Sequence, residues 1–245
     1  MTDAAILVIG NEILSGRTHD VNVPYLATQL AALGVPVAEV RIVRDEPAAI
    51  VAGLDALRHR YGYVFTSGGI GPTHDDITSA AVAAAFGVRL ERNAEAVRRL
   101  AARHGAEALN PARLKMAEIP AGARLIDNPL SQAPGFRLGN VFVLAGVPSV
   151  LQAMFETLRD ELRAGPPLLS RAVTLAVREG DIAERLAALQ DAHPDSEIGS
   201  YPSFGAEGPR VAVVARGRDA AALDRIAAEI RALAAAAGAD VIATD

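Results

Sequence analysis

Residues 4–9 are apolar without a break and run into Gly10, the pattern of a strand buried on both faces. Leu26, Leu30 and Leu33 then recur at helical spacing, with Asp20 or Asn22 available as the cap and Gly34 as the stop. Residues 35–43 read as the next strand. Asp45 is placed to cap a helix carrying Ile50, Leu54 and Leu57, which closes near Tyr61 and Gly62. A short apolar strand at 63–66 leads into a glycine-rich turn, and a further helix is predicted over 78–86. This alternation predicts an α/β fold: a mainly parallel sheet with helices on both faces.

The middle of the chain is less regular. Asn93 can cap a helix through His104, and Pro111 can open a short one through Ala117. Residues 141–144 form another buried strand, and Ser149 is placed to cap a helix reaching about Arg163. The stiff run Ala164-Gly165-Pro166-Pro167 predicts a boundary between a first domain over 1–165 and a second over 168–245. Beyond it, strand 172–177, helix 182–192, strand 197–201, a Pro/Gly loop, strand 211–215, helix 220–237 and strand 241–243 follow in order. That order is β-α-β-β-α-β, the ferredoxin-like α+β pattern. The segment holds no cluster of chemically active side chains and reads as a packing or oligomerisation domain.

Composition narrows the function. With 51% hydrophobic and 22% charged residues the chain builds a core easily, so wholesale disorder is excluded. The absence of cysteine removes disulfides, thiolate nucleophiles and thiolate metal sites, and fits a reducing compartment. A net charge of −5 argues against nucleic acid as a partner. Lys115, the only lysine, lies far along the chain from any glycine-rich loop, which excludes a P-loop. No apolar run suits a membrane span or a signal peptide, so the expectation is a soluble cytoplasmic protein without a membrane partner.

Ligands of open parallel sheets bind where strands end and loops enter helices. Three loops fall there: Gly10-Asn11-Glu12-Ile13-Leu14-Ser15-Gly16; Ser67-Gly68-Gly69-Ile70-Gly71-Pro72-Thr73-His74-Asp75-Asp76-Ile77-Thr78; and Ala145-Gly146-Val147-Pro148-Ser149. The second carries most of the signal. Its glycines let backbone N–H groups approach an anion ahead of a helix N-terminus. Asp75 and Asp76 beside them are hard oxygen ligands of the kind Mg²⁺ takes when it also holds phosphates. The simpler alternative is a tight turn with Asp76 or Thr78 capping the helix. The loop lacks both the dinucleotide Gly-x-Gly-x-x-Gly and the Gly-x-Ser-x-Gly of a nucleophile elbow. His59, His104 and His193 read as solvated residues, while His74 lies inside the loop and His19 near the first one.

These motifs, with Asn22 and then Asn128-Pro129, Ala133-Pro134-Gly135-Phe136 and Gly146-x-Pro148, resemble the MoaB/Mog molybdopterin-binding family. Within it the likeness is to the N-terminal region of the competence/damage-inducible CinA proteins, over residues 4 to about 163, and the C-terminal unit resembles the domain that follows in them. The resemblance implies a small-molecule nucleotide or pterin ligand, and a divalent metal such as Mg²⁺ or Co²⁺ on Asp76, with Asp75 beside it. It further implies cleavage of a pyrophosphate such as ADP-ribose or FAD, with Glu12 as a base or second metal ligand. Gly10, Asn11, Asn22, Ser67, Gly68, Gly69, Gly71, Thr73, Thr78, Gly146, Pro148 and Ser149 become ligand-binding candidates. A homo-oligomer, a dimer first, is also implied. Two departures stand out: Asn11 replaces an aspartate in the first loop, and Val150 falls where the third loop usually has a glutamate. They leave two alternatives open, a non-catalytic molybdopterin- or nucleotide-binding module and a molybdopterin adenylyltransferase.

Overall fold

The structure is a computed structural model that describes residues 3–162, 165–205 and 208–244. It divides into two compact units, residues 1–165 and 166–245.

In the first unit β1 (Ala4–Ile9) lies between β2 (Val37–Val43) and β3 (Tyr63–Ser67), and β3 pairs with β8 (Val141–Leu144). These four strands are parallel. The unbroken apolar run of β1 has a direct cause: Ala4, Ile6 and Val8 pack with α2 (Asn22–Ala32) and α7 (Pro148–Glu156). Ala5, Leu7 and Ile9 pack on the opposite face with α3 (Pro47–Arg58) and α4 (Thr78–Phe86). Alternate side chains of a strand leave opposite faces, so a strand between two helix layers must be apolar throughout.

The sheet continues as β8-β7-β6, in which β7 (Gly135–Leu138) and β6 (Arg124–Ile126) are each antiparallel to their neighbour. A separate ribbon pairs β4 (Leu90–Arg92) with β5 (Glu118–Pro120), next to α5 (Ala94–His104) and α6 (Pro111–Lys115). A single turn, α1 (Asn11–Leu14), follows β1.

Of the caps the sequence offers, α2 takes one of its two alternatives, and those expected for α3 and α7 do not form. Asp20, not Asn22, accepts the Val23 N–H at 2.7 Å, and Asn22 enters α2 as a buried residue. Asp45 does not cap α3 but accepts the Asn11 N–H at 2.8 Å, because the parallel β1 and β2 end side by side and bring residues 11 and 45 together. Ser149 is the second residue of α7, behind Pro148, and gives no cap; that helix stops at Glu156, followed by a 3₁₀ turn at Arg159–Glu161. Arg163 lies outside the described residues. Asn93 does cap α5, accepting the Ala96 N–H.

The second unit is an antiparallel sheet in the order β10-β11-β9-β12, formed by β9 (Leu169–Ala176), β10 (Glu197–Gly205), β11 (Gly208–Gly217) and β12 (Asp240–Thr244). With α8 (Glu179–Ala192) and α9 (Ala220–Ala236) it completes the β-α-β-β-α-β order. The segment read as a Pro/Gly loop instead extends the β10–β11 hairpin, with residues 206–207 outside the description. Val211, Val213 and Ala215 alternate inward against Leu223, Ile226 and Ile230 of α9. Among the described residues no helix is long and apolar enough to cross a membrane.

Candidate functional site

The order β2-β1-β3 means that the chain leaves β1 towards one side and returns on the other. The crevice between the ends of β1 and β3 is therefore the topological switch point, where open α/β sheets bind ligands. The first and second loops start there. A cleft of about 550 Å³ opens between them, with the third loop and the segment from Asn128 to Ala133 completing its wall.

The second loop is shaped by its own contacts. Gly68 and Gly69 have φ of 108° and 70°. A Cβ at Gly68 would collide with the Ile9 carbonyl oxygen, and one at Gly69 with the Thr78 hydroxyl. Only glycine meets both demands. Thr78 is fully buried and closes the turn, its hydroxyl donating to the Gly68 carbonyl at 2.9 Å and its N–H to the Gly69 carbonyl at 3.0 Å. It therefore shapes the loop from behind and does not line the cleft. The Gly68 N–H donates to the Leu144 carbonyl. Those of Gly69, Ile70 and Gly71 have no acceptor within the chain, among the described residues, and all three residues line the cleft. A run of unmet N–H groups ahead of a helix is an anion cradle.

Carboxylates ring the same space. Asp76 accepts the Thr73 N–H at 2.8 Å, and its Oδ2 stands 2.5 Å from the Thr73 hydroxyl. Asp75 Oδ1 stands 2.6 Å from that same hydroxyl. A hydroxyl carries one hydrogen, so only one of these short contacts is a hydrogen bond in any arrangement. The other brings two oxygens together with no hydrogen between them. The Thr73 hydroxyl, the backbone N–H of Asp75 itself and, more weakly, His74 and Lys115 hold the Asp75 carboxyl below the usual carboxylate range. Glu12 and Asp45 reach the cleft from the first loop and from the end of β2.

The sequence-based candidates separate in space. Glu12, Gly68, Gly69, Gly71, Thr73, Asp75, Asp76 and Gly146 line the cleft. Asn22, Ser67 and Pro148 line a smaller cavity beside it. Gly10 is buried behind the first loop, its Cα covered by the Glu12 carboxylate, so it gives that side chain room. Asn11 and Ser149 are exposed and line neither space. Two groups escaped the sequence reading. Asp45 was assigned to a cap. Lys115, remote along the chain, donates its ammonium to the Thr73 carbonyl and so lies against the loop it was thought to avoid. Neither contact has a local sequence signal, since each depends on how distant segments pack. Val150 lines the cleft as an apolar side chain.

Among the described residues no three acidic or histidine side chains form a metal cage. The oxygens of Asp75, Asp76 and Thr73 offer a partial set, which suits a hard cation whose remaining ligands are phosphate oxygens and water.

A family model described as a probable molybdopterin binding domain matches residues 5–164, and one described as the middle domain of FAD synthase matches residues 167–240. A protein of Pyrobaculum arsenaticum is 36% identical over 210 residues, covering 81% of this chain and 79% of its own length. A CinA-like protein of Geobacter sp. strain M21 is 37% identical over 240 residues, 93% of this chain but 57% of that protein, so the chain spans little more than half of that relative. A crystal structure of the protein CinA from Thermoplasma acidophilum, described as of unknown function, matches with a TM-score of 0.63 at 33% identity, covering 66% of this chain and 98% of that one.

Proposed function

The chain belongs to the molybdopterin-binding (MoaB/Mog) domain family in its CinA-like form, and from that premise we propose that it recognises the phosphate of a nucleotide or pterin at the glycine loop and cleaves a nucleotide pyrophosphate there with a divalent cation. One observation carries this reading: Gly69, Ile70 and Gly71, whose N–H groups are unmet among the described residues, line a cleft that Glu12, Asp45, Asp75 and Asp76 also line. N–H donors invite an anion, whereas four carboxylates repel one. The two demands are compatible when a cation enters with the phosphate.

Asp76 and Asp75, with the Thr73 hydroxyl, would hold that cation. Bound there, it would supply neutralisation of the pyrophosphate's negative charge. The N–H groups of residues 69–71 stabilise the extra negative charge that develops on the phosphoryl oxygens as water adds. Glu12 faces the cleft and is the base for the attacking water. Its carboxylate takes one proton as the water oxygen bonds to phosphorus, and the P–O bond to the bridging oxygen breaks with its electron pair leaving on the departing phosphate. The match of residues 167–240 to the FAD synthase middle domain supports including a flavin dinucleotide among the substrates to try.

The test is AMP release from ADP-ribose and from FAD with Mg²⁺ or Co²⁺, run beside Asp76→Asn. The expected result is metal-dependent AMP that falls at least a hundredfold in the variant. AMP formation that survives Asp76→Asn would remove the cation from this loop. A second reading, binding without turnover, is favoured by Val150, an apolar side chain lining the cleft. It predicts ligand binding with no AMP under any metal.

A further inference from the structure

Beside the main cleft lies a smaller cavity of about 80 Å³, with Glu12, Thr18, Gly68 and Gly146 on the wall common to both. Its inner end carries two polar side chains that are almost fully buried, Asn22 and Ser67. The orientation of Asn22 is fixed by its partners. Its Nδ2 donates to the Gly146 carbonyl at 2.8 Å and to the Ser67 hydroxyl oxygen at 2.9 Å, so both amide hydrogens are engaged. The opposite atom, Oδ1, is buried and accepts from nothing among the described residues. Ser67 accepts from Asn22, and its own hydrogen has no acceptor among the described residues.

A buried acceptor without a donor is unfavourable and in native proteins is normally met by water or a ligand. Here the unmet acceptor and the unmet donor sit side by side, tied to each other through Nδ2. Their complement is an N–H next to a ring nitrogen or a carbonyl. Adenine presents that edge through its amine and a ring nitrogen, and a pterin presents it through its lactam or its amine. Ile13, Val21 and Pro148 give apolar surface suited to the face of a flat ring, while Glu12, Thr18, His19 and Asp20 also line the cavity. The volume admits the edge of one ring while the rest of the molecule occupies the cleft.

We propose that this cavity reads the hydrogen-bonding edge of the ligand's heterocycle, with Asn22 Oδ1 accepting from its N–H and the Ser67 hydroxyl donating to the neighbouring nitrogen or oxygen. The inference rests on the phosphate-recognition reading above and adds to it the part of the ligand that is selected. It makes Asn22 and Ser67 specificity residues and leaves the chemistry to the loop.

The experiment is titration calorimetry of the full chain with Mg²⁺, using AMP, purine riboside 5′-monophosphate (which lacks the amine), neopterin monophosphate and ribose 5-phosphate. AMP or neopterin monophosphate should bind at least tenfold tighter than ribose 5-phosphate. If adenine is the base read, purine riboside 5′-monophosphate should be at least tenfold weaker than AMP; if a pterin, neopterin monophosphate should lead. The variant readout is the affinity ratio to ribose 5-phosphate, in which any general loss from the broken Gly146 tether cancels. Asn22→Leu should bring that ratio close to one. Ser67→Ala should lower it about tenfold and replaces the first variant if that one does not fold. Equal affinities for all four phosphates in the wild type would overturn the inference, leaving the cavity to water and the phosphate cradle intact. A ratio unchanged in both variants would overturn it too. No binding of any of the four would instead mean that the phosphate-recognition reading has failed.

Discussion

Thr73 offers a single hydrogen to two carboxylates, and its chemistry sets the local electrostatics of the loop. Its donation is the largest cause of the lowered Asp75 titration. A depressed carboxylate contributes its charged-state stabilisation above its ordinary range and loses it only as pH falls through the lowered value. Thr73→Val should therefore raise the Asp75 titration towards the ordinary range, read by carbon NMR of the side-chain carboxyl; an unmoved Asp75 would mean that its own backbone N–H dominates. Tyr25 is the opposite case. Burial, and then its hydrogen bond to Glu156, raise its phenol from 10.0 to about 12. A raised group stabilises the fold fully below its unfolded value and loses that contribution as pH rises through the folded one, so the window is 10 to 12. Tyr61 is raised as well, first by its hydrogen bond to Glu39, so absorbance at 295 nm should show tyrosine ionisation in that window from which Tyr25→Phe removes one component near 12, and the variant should lose less stability across it. Gly68→Ala combines a φ of 108° with a collision against the Ile9 carbonyl oxygen. Urea unfolding should register about 2–4 kcal/mol of destabilisation, beyond the ordinary glycine-to-alanine range. At Gly180, with open space around it and no unusual φ, the same change should be neutral or slightly stabilising.

Among the elements, α5 and α7 separate two serine- or asparagine-led helix starts that look alike in sequence. Asn93 accepts the Ala96 N–H at 3.0 Å, so Asn93→Ala should cost about 1 kcal/mol. Ser149 stands behind Pro148 inside the first turn of α7, where no side chain caps the helix among the described residues, so Ser149→Ala should stay within about 0.5 kcal/mol. A loss at Ser149 equal to that at Asn93 would contradict this capping assignment. The pair also shows how far the sequence could be read. Strands with unbroken apolar runs, such as β1 and β8, were legible because burial on both faces leaves no other pattern. The strands β6 and β7, of three and four residues, were not, since neither is long enough for alternation to show. At the site, the glycines and the Asp75-Asp76 pair were legible as local chemistry. Asp45 and Lys115 were not, because one reaches Asn11 across 34 positions and the other reaches Thr73 across 42. Asn22 was visible as a motif residue, but its unmet Oδ1 depends on Ser67 and Gly146 meeting it in space.

On the scale of the whole molecule, the two units bury separate sets of side chains by different means. The first depends on a sheet covered on both faces, with Phe65, Phe142 and Phe155 among its largest buried residues. The second contains a one-sided core, in which Val173, Leu175, Val211 and Val213 face Ile182, Leu223, Ile226 and Ile230. Asp219 closes the start of α9 by accepting the Ala221 and Ala222 N–H groups. A segment with its own sheet, its own capped helix and its own apolar cluster has what autonomous folding requires, although domains of this size bury only about 60–70% of their unfolded surface and are marginal. Residues 166–245 expressed alone should therefore fold cooperatively, with mixed helix and strand circular dichroism and a urea slope near the low end of the small-domain range, about 1 kcal/mol/M. Asp219→Ala should lower its midpoint by an amount corresponding to about 1 kcal/mol. A non-cooperative or helix-only fragment would mean that the antiparallel sheet needs the first unit to form. The FAD-synthase-like segment would then be part of one folding unit with the ligand cleft.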